Sequence, residues 1–276
     1  MHNHMVVTDL DGTLLNSQGN VSVDDLQTLK TLGSKGVVRV IATGRSPFSF
    51  DKVIPLDFPI DYLIFSSGAG AMDWKKKELL YTTQLNPQQV QSIVNILVKQ
   101  NVDFMVHEPI PANHRFLYFS GQNHNPDFGR RIELYKPFCQ PYIPGIFYDT
   151  NATQILAVLP YNVDDFEQLK SYFSEFKVIR ATSPLDHHSI WMEIFSKEVS
   201  KAYGISQICS LHGIQKENVV AIGNDFNDLD MLSLAGKSFV VANSPQEIRN
   251  QFTTVKSNND SGFSDAVFYA FELSDR

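Results

Sequence analysis

Asp9 and Asp11, two carboxylates one residue apart, close a short apolar run over residues 5–7 that reads as a buried strand. Gly12 and Thr13 follow and turn the chain. Two acids crowded at the end of a buried strand repel each other and lose hydration, so a cation or a phosphoryl group that uses them would stabilise the pair. An Asp-rich turn capping the next element is the plainer reading of a bare D-x-D. A second oxygen-rich stretch lies far along the chain, after the buried-looking residues 218–222. Residues 223–232 begin with Gly223 and carry Asn224, Asp225, Asn227, Asp228 and Asp230 where a strand gives way to a helix. One Asp or Asn there is an ordinary N-cap, whereas five such residues supply the oxygen ligands that a divalent cation takes.

Two smaller signals accompany the acids. Thr43-Gly44-Arg45-Ser46 follows the β-rich residues 37–42, where a hydroxyl and a free backbone N–H could hold a phosphoryl oxygen. An ordinary strand-to-helix turn, with Pro47 in the first helical turn, explains the same residues. Lys201 stands near the start of a helix, although lysine favours the last turn, where the dipole is negative. It is either a solvated surface residue or is held there for an anion, and position alone favours the surface.

These residues need strands to bring them together, and the chain supplies them. Ser22 with Asp25 three residues on is a capping-box-like start, and Leu26, Leu29 and Leu32 follow at helical spacing. Residues 61–65 read as a third strand running into Ser66-Ser-Gly-Ala-Gly70, and residues 74–81 as an exposed hairpin with a lysine tip. From Gln84 the texture changes. Asn86-Pro87 starts a helix with Val90, Ile93, Val94, Leu97 and Val98 on one face. Residues 103–155 read as short strands and proline-broken loops, residues 153–159 as another strand, and Phe166, Leu169, Phe173 and Phe176 as a helix stripe followed by a strand over 177–180. Residues 190–195 read as a strand that reopens the first pattern, and Ile205, Ile208 and Cys209 mark a helix closed by Gly213. The order predicts an α/β protein with an inserted α+β layer.

With 276 residues and 43% hydrophobic content the chain can bury a sizeable core. No apolar run approaches a membrane span and the start lacks a signal-peptide pattern, so a cytoplasmic location without membrane association is expected. Cys139 and Cys209 are too few for a disulfide framework. A formal charge of −7 without a basic stripe argues against nucleic acid as a partner.

Taken together, Asp9-Leu-Asp-Gly-Thr-Leu14, the strand ending in Thr43-Gly44-Arg45, the Lys201 region and the loop from Gly223 to Leu232 resemble, in order and spacing, the four motifs of the haloacid dehalogenase-like (HAD) phosphohydrolases. Asn258-Asn-Asp-Ser-Gly262 is similar to the family's closing loop. The chain looks like a Cof-type member, whose large cap is inserted between the second and third motifs. The resemblance implies a doubly wound parallel sheet, with a core over residues 1–83 and 187–276 and an α+β cap over residues 84–186 that sets substrate specificity. It implies that Asp9 attacks phosphorus to form an aspartyl-phosphate, that Asp11 acts as acid and then base, and that Thr43, the Gly44 N–H, Lys201 and Asn227 contact the phosphoryl group. It implies Mg²⁺ held by Asp9, Asp11 through its carbonyl, and the loop carrying Asn224 and Asp228. The usual family residue after the glycine is a metal-binding aspartate; here it is Asn224, with an acid next at Asp225, which predicts weaker Mg²⁺ binding. Cap residues offered for the leaving group are His107, Glu108, His114, Arg115, His124 and Tyr142, with His187 and His188 as linker residues.

Three functions fit: a Mg²⁺-dependent phosphatase of a small phosphorylated metabolite such as a sugar phosphate or cofactor phosphate, a phosphomutase of the same fold, or a binding protein weakened by Asn224. The phosphatase stands first, as a monomer or homodimer, because Asp9, Asp11, Thr43 and Lys201 occur together.

Overall fold

The computed structural model describes residues 3–121 and 125–271. The chain divides into two compact units, Met1–Tyr81 with Ser200–Arg276, and Thr82–Val199. The first unit opens with β1 (Met5–Thr8), α1 (Val23–Ser34), β2 (Val38–Ala42), α2 (Pro47–Phe50), β3 (Tyr62–Phe65), β4 (Gly70–Asp73) and β5 (Glu78–Thr82). As the spacing predicts, Ser22 caps α1 by accepting from the Asp25 N–H. The lysine tip between β4 and β5 is exposed.

The second unit contains α3 (Pro87–Lys99), β6 (Asp103–His107), β7 (Phe116–Phe119), α4 (Pro126–Leu134), β8 (Cys139–Pro141), β9 (Gln154–Leu159), α5 (Val163–Lys170), β10 (Lys177–Thr182) and β11 (Ile190–Phe195). Its sheet runs β10-β11-β9-β6-β7-β8 and is antiparallel except for the β7–β8 pair. Asn86 and Gln89 form a complete capping box on α3. Val90, Ile93, Val94 and Leu97 are then wholly buried against β6, β9 and β11, each worth about 1.5–3 kcal/mol of apolar burial. On the other face Phe128 of α4 packs against Met105, Leu156 and Trp191.

Two expectations need correction here. Residues 190–195 do form a strand, but β11 pairs antiparallel with β9 and β10 inside the second unit, so the chain re-enters the first unit at Ser200 rather than near residue 187. His187 and His188 accordingly sit in the turn between β10 and β11, where His188 stacks on Tyr161. A helix, α4, also replaces loop within residues 103–155; its Asn125-Pro126 start repeats the Asn86-Pro87 signature.

The first unit resumes with α6 (Lys201–His212), β12 (Val219–Gly223), α7 (Leu229–Leu234), β13 (Lys237–Val241), α8 (Gln246–Arg249), β14 (Thr253–Val255) and α9 (Gly262–Phe271). Its sheet runs β14-β13-β12-β1-β2-β3-β4-β5. The six strands from β14 to β3 are parallel, and β4 turns back antiparallel to β3. This is the doubly wound sheet expected from the sequence. β1 lies between β2 and β12, where the strand order reverses, and ligands of open α/β sheets bind outside the carboxyl ends at such a point. Among the described residues no helix is long and apolar enough to cross a membrane.

Candidate active site

Three neighbouring strands deliver the chemistry to one edge. Asp9 follows β1, Thr43 follows β2 and Asn224 follows β12. Main-chain bonds carry the order one residue beyond the strands: the Asp9 N–H donates to Ile222 O and the Thr43 N–H to Ile64 O, both at 2.9 Å. Asp9 and Thr43 are 4% and 1% exposed, so their side chains are fixed before any ligand arrives.

Lys201 sits at the centre of the cluster. Its ammonium donates to Asp9 Oδ1 and to Asp228 Oδ1, each at 2.6 Å, and all three side chains are buried. The solvated-surface reading of Lys201 is therefore overturned: Ser200 caps α6 through the Tyr203 N–H, and the helix start points the lysine inward, to 1% exposure. Burial opposes the charge on Lys201, but Asp228 and Asp9 outweigh it and hold the ammonium above the ordinary lysine range. Burial also pushes the Asp9 carboxyl up to about 7, with Lys201 pulling it down and Asp228 pushing it up again. Asp9 thus shares one buried cation with Asp228 and remains short of positive charge.

Asp228 is fully engaged. Its second oxygen accepts from the N–H groups of Asn224 (2.8 Å) and Asp225 (3.1 Å), and the carboxyl folds back against Gly223, where a Cβ would lie 2.7 Å from it. The Asp225 carboxylate is spent on the Asp228 N–H, closing a capping box over the short turn Phe226–Asp228. Both Asp228 oxygens are therefore occupied, and the Asp225 carboxylate is engaged within its own loop. Asn224 does better: the Thr13 hydroxyl lies 3.1 Å from Asn224 Oδ1 and 3.2 Å from Asp9 Oδ2, and can donate to one of them at a time.

The remaining residues ring this centre. The Arg45 guanidinium grips both oxygens of Asp11 at 2.7 Å and also donates to Ser49 O. Thr43 Oγ1 accepts from the Arg45 N–H at 3.1 Å, so its hydroxyl hydrogen can be directed to another acceptor. Among the described residues, no acceptor reaches the Gly44 N–H or the half-buried Asn227 amide. Asn243, just past β13, donates to Gly12 O, and Asn258 of the closing loop donates to Leu15 O, so both brace the acid loop.

The donor set suits a hard divalent cation. Among the described residues no three His, Cys, Asp or Glu side chains gather as a metal cluster. A cation would therefore rely on Asp9 Oδ2, on the carbonyl oxygen of Asn224 and on main-chain oxygen, and Asp9, lifted by burial, is the group that added positive charge would stabilise.

The structure thus gathers Asp9, Lys201 and Asp228 by direct contact, sets the Thr13 hydroxyl between Asp9 and Asn224, and places Thr43 and Gly44 at the end of the neighbouring strand. Sequence reasoning missed Arg45 as the partner of Asp11, although a cation directly after Thr43-Gly44 at a strand end was the available signal. The side-chain bridge from Thr13 had no signal. The second unit's candidates separate by burial. His107 is 3% exposed and donates Nδ1–H to Asn113 O, and burial, aided by the Arg131 charge, drives its imidazole down to about 3. Tyr142 is buried in the apolar core, Glu108 and His114 are half-buried, and Arg115 is exposed. His124 lies outside the described residues.

Comparisons with known proteins agree with this geometry. The family model for haloacid dehalogenase-like hydrolases matches residues 6–267. The Bacillus subtilis protein named 5-amino-6-(5-phospho-D-ribitylamino)uracil phosphatase YwtE is 24% identical, over 92% of this chain and 93% of that protein. The HAD phosphatase BT1666 of Bacteroides thetaiotaomicron superposes with a TM-score of 0.80 at 18% identity, covering 98% of this chain and 96% of that one. The HAD subclass IIB sugar phosphatase BT4131 gives 0.76 at 16% identity over 98% and 99%. With a family match across nearly its whole length and the motif residues gathered at one sheet edge, this chain belongs to the haloacid dehalogenase-like hydrolases.

Proposed function

We propose that this protein is a Mg²⁺-dependent phosphomonoesterase that hydrolyses a small phosphorylated metabolite, a sugar phosphate or a cofactor phosphate, through an aspartyl-phosphate on Asp9. The observation that carries the reading is Lys201 bound at 2.6 Å to both Asp9 and Asp228. A buried ammonium beside a carboxylate would fix that carboxylate in place and stabilise anionic oxygen near it. Asp9 attacks phosphorus, and the bond to the leaving alcohol breaks as Asp11 gives that oxygen a proton. Asp11 then takes a proton from the water that opens the aspartyl-phosphate, two-step chemistry in which a carboxylate splits one hard hydrolysis into easier halves. Because Arg45 holds both Asp11 oxygens, at least one of those bonds opens for Asp11 to reach the leaving group. Thr43, the Gly44 N–H, Lys201 and Asn227 bind the transferring oxygens. Asp9, the Asp11 carbonyl and Asn224 hold Mg²⁺, with Asp228 anchoring the Asn224 loop; the ion supplies Lewis-acid charge to the phosphoryl group. The core and cap roles fall to the two units in turn, the second supplying specificity, with Arg115 and Glu108 its accessible candidates.

The test is phosphate release from a panel with and without Mg²⁺, including hexose phosphates and the phosphoribitylamino-uracil named for the B. subtilis relative. Metal-dependent release that disappears in Asp9→Asn is the expected result. Release that survives Asp9→Asn would refute the nucleophile, and hexose phosphate isomers formed without inorganic phosphate would refute hydrolysis.

A further inference from the structure

At the carboxyl end of β3 the chain makes a turn that a parallel sheet does not require. Ser66, Ser67 and Gly68 have φ of 49°, 55° and 102°, three positive values in succession, and all three residues are buried. Two consecutive non-glycine residues in the left-handed region persist only where the surroundings over-determine them, and such residues cluster at functional sites.

The surroundings here are two parts of the active site. On one side, the Ser66 N–H donates to Arg45 O at 2.9 Å and the Ser67 N–H to Thr43 O at 3.0 Å, so the turn grips the residues flanking Gly44. On the other side, Gly68 abuts the main chain where α6 begins. A Cβ at position 68 would collide with the Ser200 carbonyl and lie 3.0 Å from the main-chain nitrogen of Lys201. The Gly68 carbonyl accepts from the Tyr81 hydroxyl at 3.0 Å, and the Tyr81 ring packs edge-on against Tyr203, in the first turn of α6. Lys201 belongs to a helix and shares no sheet ladder with Thr43. The turn is one continuous piece of chain that touches both Thr43 and the start of α6.

We propose that the Ser66–Ser67–Gly68 turn is a positioning element of the phosphoryl site, setting the spacing between the Thr43–Gly44 loop and Lys201. This rests on the phosphatase reading above. The glycine at 68 lets α6 approach, and the left-handed serines aim two N–H groups at the Thr43 loop. A positioning error of about 1 Å costs a phosphoryl-transfer site a large part of its rate.

The test compares Gly68→Ala, Tyr81→Phe and Gly70→Ala with the wild-type protein, reading kcat, KM, inorganic phosphate affinity by calorimetry in Mg²⁺, and the thermal midpoint. Gly70→Ala is the packing control, because a Cβ there strikes the Phe65 ring and not the Lys201 helix. The expected result is that Gly68→Ala loses at least tenfold in both kcat and phosphate affinity at temperatures where it is folded. Gly70→Ala should lower the midpoint with both quantities within threefold of wild type. If Gly68→Ala does not fold, Tyr81→Phe decides: a loss of at least threefold in both supports the inference, and a smaller one overturns it. A folded Gly68→Ala within threefold of wild type, or an equal loss in Gly70→Ala, also overturns it. A wild-type protein that binds phosphate without turnover refutes the hydrolase reading alone, since phosphate affinity still reports the spacing. A wild-type protein that does neither refutes both.

Discussion

Replacing Lys201 with Met keeps most of the side-chain volume and removes one buried charge. Asp9 Oδ1 and Asp228 Oδ1 each lie 2.6 Å from the lysine nitrogen, so at most twice that distance separates them. At an effective dielectric of about 20, two carboxylates that close repel by about 3 kcal/mol. Removing one member of a buried ionic group typically costs about 3–5 kcal/mol, a large share of the 5–15 kcal/mol that holds a protein of ordinary stability folded. The sign with pH follows from Asp9. Its carboxyl is raised in the folded state, to about 7 with Lys201 in place, so the folded protein holds more protons than the unfolded one, and stability falls as pH rises from about 4 toward that value. Without Lys201 the folded-state value rises further, and the falling window extends upward. Denaturant unfolding in EDTA between pH 6 and 9 should therefore give a deficit for Lys201→Met of about 3–5 kcal/mol that widens with pH. Adding Asp228→Asn should recover about 1–2 kcal/mol by removing the repulsion, since an amide oxygen can still accept from the Asn224 and Asp225 N–H groups. A variant within about 1 kcal/mol of wild type, or a deficit flat from pH 6 to 9, would refute the charge argument.

On the proposed mechanism, Arg45→Gln should slow hydrolysis of alkyl phosphates at least tenfold while aryl phosphates with good leaving groups change less than threefold, because only the poor leaving groups would need a proton from Asp11, which Arg45 holds; equal losses on both would count against that role. His107 is neutral in the folded state, so the folded protein binds fewer protons than the unfolded one below pH 6.5, and stability drops as pH falls toward about 3. Between pH 6.5 and 5 the wild-type protein should lose about 2 kcal/mol more than His107→Asn, and parallel pH profiles from denaturant unfolding would contradict it. Asn224→Asp should lower the Mg²⁺ concentration for half-maximal effect by about tenfold, read by calorimetry and by metal-dependent thermal shift.

The legible parts of this protein were those where local chemistry and global fold agree. The β1 acid turn, the Ser22 cap and the Asn86-Pro87 start each satisfy their own backbone, so short stretches of sequence carry the signal. β11 was legible as a strand but not in its allegiance. Pairing partners lie in β9 and β10, and nothing within residues 190–195 distinguishes an antiparallel neighbour from a parallel one. Position alone misplaces Lys201 at the surface because its partners are 192 and 27 residues away, whereas the motif pattern assigns it to an anion. The Arg45–Asp11 pair and the left-handed serines were illegible for the same reason, since what holds them is contact between loops that only the sheet brings together.

Asn224 gains a meaning from the charges around it. Asp9, Asp11 and Asp228 pair with Lys201 and Arg45, so these five side chains carry a formal balance of one negative charge, which on the proposed function would repel a phosphomonoester dianion. One divalent cation turns that balance positive. With aspartate at position 224 the same cation would only neutralise the site, holding the metal more tightly and attracting the substrate less. A unit charge about 5 Å away is worth about 3 kcal/mol at an effective dielectric of about 20, less where solvent screens it, so the effect on each ligand is measurable. Asn224→Asp should therefore move the two affinities in opposite directions, tightening Mg²⁺ while weakening inorganic phosphate at saturating Mg²⁺. General damage to the loop would weaken both. Opposite signs in one variant would identify Asn224 as a residue that exchanges metal affinity for substrate attraction, and a parallel loss would remove it from the electrostatics of the site.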